Sequence, residues 1–550
     1  MANFQTFNLY LLSLKRRFQE NRRQSKFKKP NYNILLGGVQ PHRIYECSNI
    51  YLIQDLINYD PILINTIKKF TTNLWKIDNL EENKIKKLHN FSWLPALHVK
   101  NDKILACAII DEWINNFGNY HEKHWAFDTV SLRLISWISS YPIVFRESDV
   151  IFRSKVINSI IKQAKHLFIN ISFIDSGIDK IRSLATLILI GCSFEQYENY
   201  SEFGLKNLEL ELNNFLSKDG FVKSKNPEDL YWTLYFLILI KEWLKASQKQ
   251  TPNFVNNYIF SMGVCFKFLQ FSNGEIPIFN GANIINSEKF SEFLKLRDYE
   301  FEDMKDIFCG FVKIKSKKIE LFLDANNPPT QNYCKNYQSG ALSFELASSD
   351  IKFICNSGSA KSHGEQLAYL SSTTAAQSTV TINDTSSCVF QKNSLIRKYF
   401  KNSLIDGHDI YKKEISHEKE FTKCIVAHNG YEKRFKTLHE RQITLFKTKN
   451  SIEGIDTLKC ADHKQQILNF SVRFHIHPDI RITKTMGNDI LLSSDNGDGW
   501  IFRSPQIPTK IEKNLYFGNS DNIRESSFIL LEGNIENAVT NIIWYLEKAK

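Results

Sequence analysis

No two of the ten cysteines stand in a Cys-x-x-Cys pair: Cys47, Cys107, Cys192, Cys265, Cys309, Cys334, Cys355, Cys388, Cys424 and Cys460 are scattered along the chain. A zinc-ribbon or thioredoxin-like motif therefore has no basis here. Several lie in apolar runs, Cys355 within 351–355 and Cys424 within 421–427, and read as small core residues. A run of eighteen apolar residues is missing as well, which argues against a membrane-spanning helix. No secretory leader is expected, because the apolar stretch 7–14 comes before its positive charges (Lys15, Arg16, Arg17, Arg22, Arg23) instead of after them. That stretch reads either as a surface helix of the first domain or as a basic amphipathic helix that touches anionic lipid. Phosphate loops, nucleotide fingerprints and a Gly-x-Ser-x-Gly elbow are absent, so no nucleic acid or nucleotide partner is expected. The segment 495–499 lacks the alternating oxygen ligands of a calcium loop and reads as a hairpin turn.

What is present is enough chain for two hydrophobic cores. Across 550 residues, 43% are hydrophobic and 23% charged, with a formal net charge of +11. The basic surplus favours polyanionic partners, although a merely solvated lysine-rich surface accounts for it equally well. Up to about residue 300, apolar residues recur at three- and four-residue spacing, as in 129–140, 156–169, 181–190, 205–216 and 230–244. Short breakers such as Asp175-Ser176-Gly177 and Asn226-Pro227 separate them, the pattern of successive antiparallel helix pairs. No exact repeat is visible. After Cys309-Gly310 the period becomes two, in 311–315, 319–323, 342–346, 351–355, 379–382, 421–427, 442–446, 468–477, 490–494 and 500–503. The reading is an α+β multidomain chain, helical over 1–300 and an antiparallel β-sandwich over 301–550.

The second half carries an ordered series of motifs: Gly340-Ala341-Leu342-Ser343-Phe344-Glu345-Leu346, Cys355-Asn356-Ser357-Gly358 and Thr374-Ala375-Ala376-Gln377-Ser378-Thr379-Val380. They continue with His428-Asn429-Gly430-Tyr431, Leu438-His439-Glu440-Arg441, the stretch 472–478, and Leu515-Tyr516-Phe517-Gly518. Together they resemble the C-terminal domain of heparinase II/III-like proteins. Upstream, Asp219-Gly220, Asn226-Pro227 and Phe279-Asn280-Gly281 look like the helical domain of an alphaproteobacterial-type branch of that family. The resemblance implies an incomplete α/α toroid followed by a sandwich, an acidic polysaccharide as partner, and cleavage of uronic-acid chains by β-elimination. That chemistry needs a group to neutralise the substrate carboxylate, a base for the adjacent C–H and an acid for the leaving oxygen. The family's set is an Asn, a Tyr and a sandwich His, and some members hold a structural zinc ion.

This chain departs from that set. Where the Asn-His pair would fall it has Ile178 and Asp179, and after Asn226-Pro227 it has Glu228 and Asp229 instead of Tyr. The metal positions become Gln338 and Asn356 beside His428, a poor zinc donor set, so no metal or other cofactor is expected. Ser372 and Gln377 replace the family's Arg and His.

Tyr231 and His428 are the remaining catalytic candidates, and His428 reads equally as a hydrogen-bonded structural histidine. Arg473, His475 and His477 alternate with Val472, Phe474 and Ile476 on one strand, and could grip an anionic sugar or simply form a polar outer face. Arg133 and Trp137 share a helix face, as inner-wall substrate contacts or as a core Trp with a snorkelling Arg. His439 and Arg441 read as supports of the sandwich. Three functional readings follow: a lyase with a rearranged site, a non-catalytic carbohydrate-binding or scaffold protein of envelope glycan metabolism, or a cytoplasmic helical-repeat interaction protein. The resemblance favours the cell envelope, the missing leader the cytoplasm. Oligomeric state is unreadable.

Overall fold

Helices dominate as far as Leu296 and strands from Ile307, with short helices such as Glu365–Ser372 and Ser394–Phe400 among them, in the computed structural model, which describes residues 2–57, 60–69, 74–76, 82–462 and 467–549. The chain divides into two units, each assembled from separate stretches: 15–216 with 232–260, and 1–14 with 217–231 and 261–550. No helix among the described residues is long and apolar enough to cross a membrane.

In the first unit the helices Lys103–Phe117, Phe127–Ser139, Val150–Asn170, Ile178–Ser193 and Glu198–Phe215 follow one another through short connections. Asp149 starts one of them by accepting from Phe152 N at 2.8 Å, which satisfies an otherwise orphaned amide. The helix Ile178–Ser193 buries almost its entire circumference, including Leu184, Leu187, Ile188 and Cys192. A helix that is apolar all round must be surrounded, and it packs against Phe127–Ser139, Val150–Asn170 and Glu198–Phe215.

In the second unit two antiparallel sheets share one core. In spatial order the first comprises Ile307–Phe308, Phe311–Ser316, Ile319–Asp324, Phe344–Ser348, Ile351–Cys355, Leu468–Ile476, Arg524–Ile535 and Lys510–Tyr516, with Val380–Ile382 also paired to Leu468–Ile476. The other runs Arg481–Lys484, Ile490–Ser493, Gly499–Arg503, Val539–Lys548, Ser451–Cys460, Thr437–Phe446, Phe421–Tyr431 and Ile410–His417. Val472, Phe474 and Ile476 point inward with Leu346, Ile443 and Leu546. Trp544 anchors this core: its ring stacks on Phe344 at 5.6 Å and meets Phe474 edge-on at 5.0 Å. Such ring pairs contribute about 0.5–1.5 kcal/mol each beyond their buried area. Trp544 lies directly across the ladder from Gly454, and a Cβ at that glycine would come within 1.9 Å of the indole.

Two sequence expectations shift. Leu342 is not in a strand; its φ of 58° bends the chain just before Phe344–Ser348. The opposite face of the first sheet is also covered rather than polar and open. Strand Ile319–Asp324 is buried at every position. The covering stretch supplies Ile278, whose amide donates to Glu345 at 3.1 Å, and Glu275, which pairs with Lys352 at 3.2 Å. Lys352 in turn binds Glu345 at 3.0 Å, so the buried charges are matched.

Candidate functional site

His428 ends the regular part of strand Phe421–Tyr431, just before a bulge, directly across from His439 on the neighbouring strand. Gly430 N donates to His428 Nδ1 at 3.0 Å, which fixes that nitrogen as an acceptor and leaves the proton on Nε2. Nε2–H then meets His439 Nδ1 at 3.1 Å, and His439 Nε2–H donates to Asp456 Oδ1 at 2.8 Å. The Asp456 carboxylate also accepts from Arg441 Nε at 2.7 Å and NH2 at 3.0 Å, and from the Trp544 indole at 3.0 Å. Arg441 directs the two N–H groups of NH1 to the carbonyls of Leu342 and Ser378 at 2.7 and 2.8 Å. All four titratable members are buried. Arg441 and His439 overcome burial and hold the Asp456 carboxyl well below its usual range, whereas burial drives both imidazoles toward their neutral forms. The result is a directed hydrogen-bond chain ending on one carboxylate, with both nitrogens of His428 engaged.

The positions that would complete a zinc site do not fit the metal. Gln338 donates from Nε2 to the carbonyls of Gly358 and Ser371, both at 2.8 Å, and accepts from Gly281 N at 3.0 Å. Asn356 Oδ1 accepts from Ser378 N at 2.9 Å. These amides hold loops together, and among the described residues no group of three His, Cys, Asp or Glu side chains could bind a metal ion. Amide donors beside a fully bonded neutral histidine make a weak ligand set for zinc.

On strand Leu468–Ile476, His475 accepts from the Asn514 amide at 2.9 Å through Nδ1 and donates from Nε2 to Ala375 O at 3.0 Å. Burial lowers its pKa to about 3. Arg473 is better exposed: NH1 donates to Thr381 at 2.8 Å, NH2 lies 3.5 Å from Asp384, and the guanidinium sits over Phe528. His477 packs on the Tyr516 ring at 5.3 Å, 3.5 Å from Asp479, with its pKa lowered by burial to about 4. Beside this strand lies a cavity of about 790 Å³. Its wall includes Ser357, Ala375 and Asn514, which are partners of His475, and is otherwise largely apolar, with Leu367, Ile480 and Phe517. Arg481, Lys513 and Glu525 contribute the charges.

Tyr231 is buried between the rings of Phe266 and Phe290, at 6.0 and 5.3 Å. In the helical unit Arg133 is fully buried. It donates to Gln163 at 2.7 Å, to His89 O at 2.7 Å and to His124 O at 3.1 Å, and lies 4.1 Å from the Trp113 ring centre. Trp137 is equally buried, edge-on to Phe91 and Trp113. These contacts are those of a packed core around a satisfied guanidinium.

Asp456 and His408 are not singled out by sequence reasoning. His408 donates to Asn326 O at 3.1 Å and faces Cys388 Sγ at 3.3 Å. The only sequence signal for Asp456 is that it is the one acid among the inward positions Ile452, Gly454, Asp456 and Leu458 of its strand.

Residues 300–545 match the family described as heparinase II/III-like, C-terminal. A curated relative, FtsZ-localized protein C of Caulobacter vibrioides, is 22% identical over 478 residues, covering 84% of this chain and 81% of its own. Among solved structures, a heparinase III superposes with a TM-score of 0.65 at 14% identity, covering 87% of this chain and 79% of that one. The heparan sulfate lyase HepC of Pedobacter heparinus, in a mutant form, gives 0.60 at 14% identity, covering 90% and 84%. The fold is therefore like that of these solved lyases, a helical toroid with a β-sandwich, and residues 300–545 form a heparinase II/III-like C-terminal domain.

Proposed function

We propose that this chain is a lyase-fold protein that binds an acidic, uronic-acid glycan without carrying out ordinary β-elimination. The observation that carries the reading is His428. A sandwich histidine acting as base must present a free nitrogen to the substrate, and here both nitrogens are held by Gly430 and His439. The replacements at Ile178, Asp179, Glu228 and Asp229 support it from the helical side, since an isoleucine cannot hydrogen-bond a carboxylate and acids repel one. The net charge of +11 supports a polyanionic ligand. The test is formation of 4,5-unsaturated uronate from heparin, heparan sulfate and alginate, with binding followed separately. We expect binding that weakens with salt and no turnover above background. Robust turnover abolished by Tyr231→Phe or His428→Ala would replace this reading with a rebuilt lyase.

A second reading draws on the curated relative, which is named for its localisation with FtsZ. That name supports a scaffold role in which this chain also meets FtsZ. Co-sedimentation with FtsZ polymers tests it, and absence from the pellet at micromolar concentrations removes it.

A further inference from the structure

Within the sandwich-bearing unit a separate cavity of about 310 Å³ is lined by Lys225, Lys412, Lys413, Asn326, Asn327 and Tyr411, along with small and apolar positions. Among the described residues no carboxylate lines it. Lys225 stands in a left-handed turn, φ 59°, and its carbonyl is tied down by Asn280 Nδ2 at 3.1 Å. Lys413 projects from the edge strand Ile410–His417. Neither ammonium makes an ion pair or hydrogen bond among the described residues, while Lys412 shares Glu440 at 3.4 Å. Burial keeps the Lys413 pKa below its ordinary value; the buried Asp324 acts against that, and Lys225 adds to it.

Asp324 sits behind the wall, bonded by Asn326 and Asn280 at 2.9 Å each. The wall itself is rigid. Gly310 has φ 88°, and a Cβ there would lie 1.8 Å from Asn326 Oδ1, so only glycine lets the Asn326 amide reach Asp324. Two mutually repelling ammonium groups held at a built cavity, with donors and no carboxylate at its mouth, are complementary to an acceptor-only group. The volume is at the lower end of the range for small-ligand sites, which suits one sugar unit, and the half-exposed Tyr411 ring offers a face on which a sugar can lie.

We propose that this cavity is an anion subsite that takes one carboxylate or sulfate group of an acidic sugar. The assignment of a sugar rests on the glycan-binding reading above; the anion site does not. The experiment uses the full chain and titrates three probes, sodium sulfate, glucuronate and heparan sulfate, against wild type and the double variant Lys225→Gln/Lys413→Gln. The variant Lys392→Gln/Lys419→Gln, at exposed lysines outside the cavity, removes the same charge. Thermal melting confirms that all three proteins are folded.

The expected result is at least roughly ten-fold weaker binding of each probe to the cavity variant and less than about two-fold change in the control. Heparan sulfate binding that is equal in wild type and cavity variant overturns the subsite and leaves the glycan reading standing. Sulfate binding lost in the cavity variant, with no glycan binding by wild type, keeps the anion site and overturns the sugar assignment. No binding of any probe to wild type overturns both.

Discussion

His439 donates its Nε2–H to Asp456 Oδ1 across 2.8 Å of fully buried space, and the same carboxylate accepts two donors from Arg441. Asp456→Asn removes the negative charge and leaves the Arg441 guanidinium buried without a counter-ion. Breaking such a pair costs about 3–5 kcal/mol. Urea denaturation is expected to show a loss of that order with an unchanged slope. A loss below about 1 kcal/mol would mean that the guanidinium finds compensation in the carbonyls of Leu342 and Ser378.

Acid should destabilise the protein before most of its carboxylates titrate. Loss of solvation on burial lowers the pKa of His408 to about 4 and those of His166 and His475 to about 3. In the unfolded chain these imidazoles titrate near about 6.5. Above that pH both states are neutral there and the full stability is present. As pH falls below it, the unfolded chain takes up protons that the folded one refuses, and each histidine withdraws about 1.4 kcal/mol per pH unit. Asp324, raised by burial to about 6, and Glu345, also raised by burial, work in the opposite direction as pH falls toward the ordinary carboxylate range, but the buried histidines outnumber them. Denaturation midpoints measured from about pH 7 to about pH 4.5 are expected to fall continuously. A flat profile would show that these rings are solvated and titrate normally.

Gly454→Ala is expected to be costly for an exchange of such small residues. The new methyl group would meet the Trp544 ring at 1.9 Å, with Phe344 and Phe474 packed behind that ring. Overpacking of this kind costs about 1–3 kcal/mol and forces the indole to move. Near-UV circular dichroism and a thermal melt together check it: a loss of stability accompanied by an altered tryptophan signal is expected, and an unchanged melt would count against the close approach.

Zinc should not bind stoichiometrically. After soaking with zinc and desalting, metal analysis is expected to find well under one ion per chain, in wild type and in His428→Ala alike, because Gln338 and Asn356 are amides already bonded to backbone. Tightly held zinc that disappears in His428→Ala would show that the loops rearrange to make a site.

Periodicity carried the architecture. The spacing of three and four in 181–190 marks a helix whose buried residues include Ile181, Leu184 and Ile188, and the alternation Val472, Phe474, Ile476 sets which face of that strand enters the core. Both are local properties, written in neighbouring residues. Strands Ile410–His417 and Lys510–Tyr516 are faint in the sequence because they lie at sheet edges, where half-exposed positions weaken the alternation.

What surrounds a residue on its other side is not local, and there the tertiary structure decided. His475 and His477 alternate with core residues, as an outer polar face does, yet loops from elsewhere in the chain cover them and hold them neutral. His428 stands in a recognisable motif, but only the register that sets it opposite His439, and His439 beside Asp456, determines where its proton lies. Lys225 and Lys413 come from stretches with no common motif and share one cavity only after folding. A hydrogen bond or a shared charge depends on distances of a few ångströms, and separation along the sequence does not encode them until the sheets have paired.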